Sequence, residues 1–198
     1  MKKYFLFSLI SLLVIAASAQ TTWKNDPPHS RLGFVVKHLT ISEIEGYFSD
    51  FSAEVTTSKP DYSDMKIKVT AKVSSINTGV EMRDNHLKSA DFFDEEKYPE
   101  LVFNSTKVVK TPAKAGKQGT QYGKIYGTLT FHGITKPVVL DVKYFGKVTN
   151  PMNNNETAGF KVSGTISRKD FDLGPKFPEA MISDKVSIDA NLEFSPQK

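Results

Sequence analysis

From Arg31 onward the chain keeps returning to a period of two, and that period decides what it can fold into. Leu32, Phe34, Val36 and His38 alternate with Arg31, Gly33, Val35 and Lys37. Gly46, Phe48, Phe51, Ala53 and Val55 share a face if one extra residue sits near Asp50, the signature of a bulge. Met65, Ile67, Val69, Ala71 and Val73 alternate against Lys66, Lys68, Thr70 and Lys72. Further runs start at Leu101 and Phe103, then follow Ile125 to Phe131, Val138 to Tyr144, Phe160 to Ile166 and Val186 to Phe194. Successive side chains of a strand point to opposite faces, so each run has one apolar and one polar face. Long helical periodicity is absent. About eight antiparallel strands with one wet face account for the pattern.

A sandwich of two sheets and an up-and-down barrel both fit eight such strands. Runs of roughly 9–12 residues exceed the usual strand of about 5–6, which favours the barrel. An eight-stranded barrel is filled by side chains or holds one small ligand. Gly46, Gly127 and Gly164 fall on inward faces, and we read them as leaving room inside.

One connection breaks the usual rule for loops. Arg83-Asp84-Asn85-His86-Leu87-Lys88-Ser89-Ala90-Asp91-Phe92-Phe93-Asp94 places two adjacent aromatics in a turn-rich, polar stretch. Connections normally stay wet, whereas burying each aromatic is worth roughly 1.5–3 kcal/mol. Such a loop folds over an apolar interior, as at the mouth of a ligand-binding barrel. A short helical or loop segment is expected at about 78–94, with the helix near 81–89. The polar stretches 111–121 and 150–156 read as hairpin loops.

RDNHLKSADFFDEEKYPELVFNST at 83–106 resembles the central signature of the YceI-like family of polyisoprenoid-binding, lipocalin-like proteins. HSRLGFVVKHLTISEIEGYFSDF at 29–51, SSINTGVEMRD at 74–84, YGTLTFHGITKPVVLDV at 126–142 and ISRKDFDLGP at 166–175 agree in order and spacing. The resemblance covers about residues 23–194. It implies an all-β fold, a single eight-stranded antiparallel lipocalin-like barrel, that lies outside the cytoplasm and holds a long lipid. It implies no established reaction.

Residues 1–19 read as a secretory leader: Lys2 and Lys3, an apolar stretch from Phe5 to Ala16, then Ala17-Ser18-Ala19 before Gln20. A cleaved leader predicts a periplasmic or secreted protein, with 20–198 as one lipid-binding barrel domain. Losing Lys2 and Lys3 lowers the formal charge from +4 to +2, which gives no argument for nucleic acid. The chain has no cysteine, so neither disulfides nor thiol chemistry are available and the core must stabilise the fold.

The four histidines, His29, His38, His86 and His132, lie too far apart for a local metal motif. No G-x-S-x-G elbow, P-loop or dinucleotide glycine pattern occurs. We therefore expect no catalytic residues, metal or cofactor. Twelve of the fourteen Phe lie beyond the leader, most on inward faces. Phe34, Phe48, Phe103, Leu129 and Phe131 are expected to line an apolar tunnel, with Phe92 and Phe93 over its mouth. The family's RD-x-HL and R-x-DF stretches match Arg83, Asp84, His86, Arg168 and Asp170, which are expected to meet a polar lipid head. The plainer reading of Arg83 and Asp84 is that they tie the loop to the rim.

The expected function is non-catalytic binding or carriage of a long-chain isoprenoid or other amphiphilic lipid. The alternative is a periplasmic interaction or quinone/redox-accessory module for a membrane electron-transfer partner. An enzyme acting on a lipid-like substrate comes third. Transient contact with a membrane or membrane protein, and a homodimer, are left open as partners.

Overall fold

The computed structural model describes residues 20–59, 63–111 and 121–197. The expected leader, 1–19, lies outside the described residues. The described strands are β1 (Thr21–Asn25), β2 (Arg31–His38), β3 (Ser42–Phe48), β4 (Phe51–Thr57), β5 (Lys66–Lys72) and β6 (Ile76–Asn77). One helix, α1 (Glu81–Lys88), follows. Then come β7 (Glu100–Thr111), β8 (Gln121–Phe131), β9 (Ile134–Thr149), β10 (Glu156–Ser167) and β11 (Ile182–Pro196).

All neighbouring strands pair antiparallel, and the ring β1-β4-β5-β7-β8-β9-β10-β11 closes back on β1. This is the expected eight-stranded barrel. The strand count exceeds eight because three of the eight runs are interrupted. β1 and β2 are one run, broken by a 3₁₀ turn at Pro27–His29, where two prolines remove the ladder's donors. β3 and β4 are one run broken at Ser49 and Asp50, where the bulge was expected. β5 and β6 are separated by a 3₁₀ turn at Val73–Ser75. β11 is long enough to pair with β2 over Ile182 to Asn191 and with β1 over Phe194 to Pro196.

The inward faces follow the period-two reading. They bury one group that includes Phe48, Phe93, Phe131, Phe171 and Leu173, and a second that includes Trp23, Val55, Leu192 and Phe194. The first group lies at the end of the barrel where α1 and residues 168–181 cross the opening, which we call the mouth. The second lies toward the opposite end.

The inward glycines do not leave empty space, contrary to the expectation. A Cβ on Gly46 would come 2.3 Å from the Phe34 ring, directly across the β2–β3 pair. On Gly127 it would come 2.5 Å from Phe103, and on Gly164 2.5 Å from Leu140. Each glycine's space is taken by a large side chain of the neighbouring strand. The interior void has another origin: closing eight strands into a barrel leaves an interior wide enough to hold one small ligand.

Candidate ligand-binding site

α1 is too short to be stable alone. It is held by what surrounds it. Leu87 packs on the mouth's apolar group, and the chain then winds down through Phe92 N–H to Ser89 O and Phe93 N–H to Leu87 O, both 3.0 Å. Glu81 and Asp84 in the first turn and His86 and Lys88 in the last complement the helix dipole.

The Phe pair splits between two tasks. Phe93 stacks on Phe131 at 4.9 Å between ring centroids and meets Phe48 edge-on. Phe92 stacks on Phe177, also at 4.9 Å, and its ring lies against Gly174, where φ is +60° and no Cβ would fit. The His86 ring stands edge-on to both Phe92 and Phe177. The helix segment and the 168–181 loop are thus joined by one aromatic cluster. Asp91 adds a polar tie, accepting from Lys176 Nζ at 2.9 Å, with His86 Nε2 at 3.4 Å. The Lys176 hydrogen bond, then that of His86, holds the Asp91 carboxyl below its ordinary range.

Below this cluster lies a cavity of about 610 Å³ that follows the barrel axis, within the usual range for ligand pockets. Phe34, Phe48, Phe103, Leu129 and Phe131 line it, as do Phe92 and Phe93. The wall is almost wholly apolar. Lys37, His38, Thr78, Arg83, His86 and Arg168 border it at the mouth, and Lys110 at the far end.

The mouth's two arginines differ. Arg83 Nε donates to Thr78 Oγ1 at 2.7 Å and Nη2 to Thr78 O at 2.8 Å. Among the described residues Nη1 makes no hydrogen bond and no carboxylate pairs with this guanidinium. Arg168 is 3% exposed. It donates from Nε to Ser183 O, from Nη1 to Leu173 O and Gly174 O, and from Nη2 to Phe177 O and Ile182 O. All five of its N–H groups therefore serve backbone carbonyls, three in its own loop and two at the start of β11.

Two expected site residues stay out of the cavity wall. Asp84 Oδ1 accepts from Thr78 N at 2.8 Å and Thr78 Oγ1 at 2.5 Å, so it ties the chain before α1, as the plainer reading had it. Asp170 is exposed on the outside of the loop, because the 3₁₀ turn Lys169–Phe171 buries Phe171 and turns its neighbour outward. Arg168 touches the cavity without a free donor for a lipid head, so the expected second head-binding pair, Arg168 with Asp170, is not formed. His38, Lys37, Thr78 and Phe177 were not expected at the site. His38 was visible in principle, since it ends the inward-facing series Leu32, Phe34, Val36. Phe177 lies in a loop with no period to reveal it.

Away from the mouth, Asp26, His29 and Glu193 bring their ligand-type atoms within 4.8 Å of one another. His29 Nδ1 meets Asp26 Oδ2 at 2.8 Å. That hydrogen bond raises the His29 pKa, so His29 and Asp26 already satisfy each other.

The YceI-like domain matches residues 23–194. This chain belongs to the YceI-like family. A UPF0312 protein of Photorhabdus laumondii is 40% identical over 177 residues, covering 86% of this chain and 88% of the relative. The solved YCEI protein of Campylobacter jejuni superposes with a TM-score of 0.70 at 29% identity over 100% of both chains. A polyisoprenoid binding domain from Saccharophagus degradans, implicated in plant cell wall breakdown, has a TM-score of 0.64 at 17% identity. It covers 88% of this YceI-like chain and 98% of its own, and at that identity the likeness is one of fold.

Proposed function

We propose that this YceI-like protein is exported and carries a long-chain isoprenoid or related amphiphilic lipid in its barrel without transforming it. The observation that carries this reading is the axial cavity of about 610 Å³, apolar along its length with its polar groups gathered mainly at one mouth. A tail buried there gains about 0.8 kcal/mol per CH₂. Twenty buried carbons therefore supply roughly 16 kcal/mol before the cost of ordering the tail is subtracted. The polyisoprenoid binding domain of the same fold supports the choice of tail.

At the head, Arg83 Nη1 is the donor with spare capacity. An anionic or carbonyl oxygen at the mouth would complete its fork. The neighbouring His86 is engaged by Asp91 and two aromatic rings, with no Ser, Thr or Cys side chain on its ring. That arrangement suits holding a ligand and lacks the nucleophile–base pair of acyl transfer.

Organic extraction of the protein purified from its own cells, followed by mass spectrometry, tests the reading. The expected result is one dominant isoprenoid-type lipid near one per chain. An extract with only bulk phospholipid in membrane proportions would overturn the isoprenoid assignment. A chemically altered lipid after incubation with the protein would overturn carriage without catalysis.

A further inference from the structure

Five exposed large apolar side chains gather around the place where the cavity opens: Leu39, Ile41, Val80, Met82 and Met181. They come from three separate segments. Leu39 and Ile41 lie in the turn between β2 and β3, Val80 and Met82 at the start of α1, and Met181 just before β11. Leu39 N–H donates to Met181 O at 3.0 Å, which joins the first segment to the third. Met181 lines the cavity itself, as do His38 and Arg83, the chain neighbours of Leu39 and Met82.

The β2–β3 turn is held in an unfavourable backbone. Leu39 and Thr40 have φ of +50° and +62°, a region that costs a non-glycine residue and most of all a β-branched one. Ile41, next in that turn, is 85% exposed. Met82 is 82% exposed on α1, while Arg83 and Leu87 of the same helix face the cavity. Neither Ile41 nor Met82 lines the cavity or packs in the core.

We propose that this rim docks into the apolar part of a lipid bilayer, so that the carried lipid moves directly between membrane and cavity. The proposal rests on the lipid-carriage reading above. A bilayer is favoured as occupant because the cavity opens inside the patch. A long tail leaving through it must otherwise cross water, losing its burial at every carbon, whereas an inserted rim joins two apolar phases. The charges at this end are of mixed sign. Asp91 pairs with Lys176, Lys169 with Glu179, and Lys97 with Asp94. Lys37 and Lys185, which form no ion pair among the described residues, share a surface pocket with Glu179 and Asp184, and Arg83 alone of the mouth's arginines points no donor at a carboxylate or a full set of carbonyls. Anionic-lipid recognition needs a cluster of cations, so the rim fits a zwitterionic bilayer through apolar insertion. Unbranched Met side chains adapt to such a disordered medium.

The test uses the leaderless chain with phosphatidylcholine vesicles, read by flotation and by transfer of a fluorescent long-chain isoprenoid from protein to vesicles. The variants are the pair Ile41→Glu with Met82→Glu, and Met152→Glu as a control at the opposite end, where Met152 is 93% exposed. We expect the wild type to float with the vesicles and to transfer at a rate that rises with vesicle concentration. The paired variant loses flotation and transfers about tenfold more slowly at a rate independent of vesicles, with its affinity for the probe unchanged. Met152→Glu behaves as wild type. A wild-type rate independent of vesicle concentration, or a paired variant as fast as wild type, overturns the docking. Probe binding without vesicles separates the two readings. A protein that floats through its rim yet binds no probe keeps the docking and loses the carriage. A protein that binds the probe and never floats loses the docking alone.

Discussion

Residues 168–181 and 78–94 close the same opening, yet each uses its arginine differently. Arg168 lies beneath its loop with every N–H bonded to a carbonyl of that loop or of the first residues of β11. Arg83 lines the cavity, spends two donors on Thr78 and leaves Nη1 without a hydrogen bond among the described residues. A buried cation whose whole fork is saturated by backbone is a framework, since any ligand must first displace a bond of the fold. A half-used fork at a cavity mouth can take an acceptor without unmaking the loop. The same residue type thus builds one side of the mouth and leaves the other receptive.

The largest effect should come from the framework side. Arg168→Met keeps much of the volume but strands five carbonyls. We expect a loss of about 4 kcal/mol, read as a melting point about 8–16 °C lower. Arg83→Ala should cost about 1 kcal/mol of stability or less, while lowering affinity for a carboxylate-headed long-chain lipid about tenfold relative to its neutral-headed analogue. Equal stability losses from the two substitutions would erase the contrast. A large drop in melting point for Arg83→Ala with lipid affinity intact would make Arg83 a tie like Arg168.

Much of this protein was legible before its fold was known, and the legible part follows from period. Phe34, Phe48, Phe103, Leu129 and Phe131 line the cavity because alternation states which face is buried. The broken run at Asp50 was visible because the apolar spacing slips there by one residue. What alternation cannot show is who stands across the strand. Gly46 looked like room, but the space belongs to Phe34. Arg168 looked like a head-group donor because its partners are backbone carbonyls, which carry no side-chain signature. Asp84 serves Thr78, six residues earlier, so its engagement lies in a loop conformation that no periodicity encodes.

A smaller effect sharpens the comparison where the two segments meet. The Asp91 carboxyl, held low first by the Lys176 hydrogen bond and then by that of His86, links the helix segment to the 168–181 loop. A carboxyl whose folded pKa is depressed stabilises the fold above its unfolded value of 3.8. That contribution fades as pH falls below this value through the folded one. Hydrogen exchange at the Phe92 and Phe93 amides, corrected for intrinsic rate, should show less protection near pH 3 than near pH 7, with the barrel ladder unchanged. Asp91→Asn at neutral pH should reproduce the loss. Equal protection at both pH values would mean that the aromatic stack alone joins the segments.

The central claim is that the barrel interior holds a long apolar tail, and filling that interior tests it most directly. Val162 lines the cavity from β10, away from the mouth, so Val162→Trp obstructs the tunnel and leaves Arg83 and the aromatic cluster in place. The measurement is a titration of delipidated wild-type and Val162→Trp protein with a long-chain isoprenoid, both shown by circular dichroism to be folded. The account expects saturable one-to-one binding in the wild type, and affinity reduced at least about tenfold in the variant as buried tail area is lost. Wild-type affinity in a folded, obstructed barrel would place the tail elsewhere and contradict the claim.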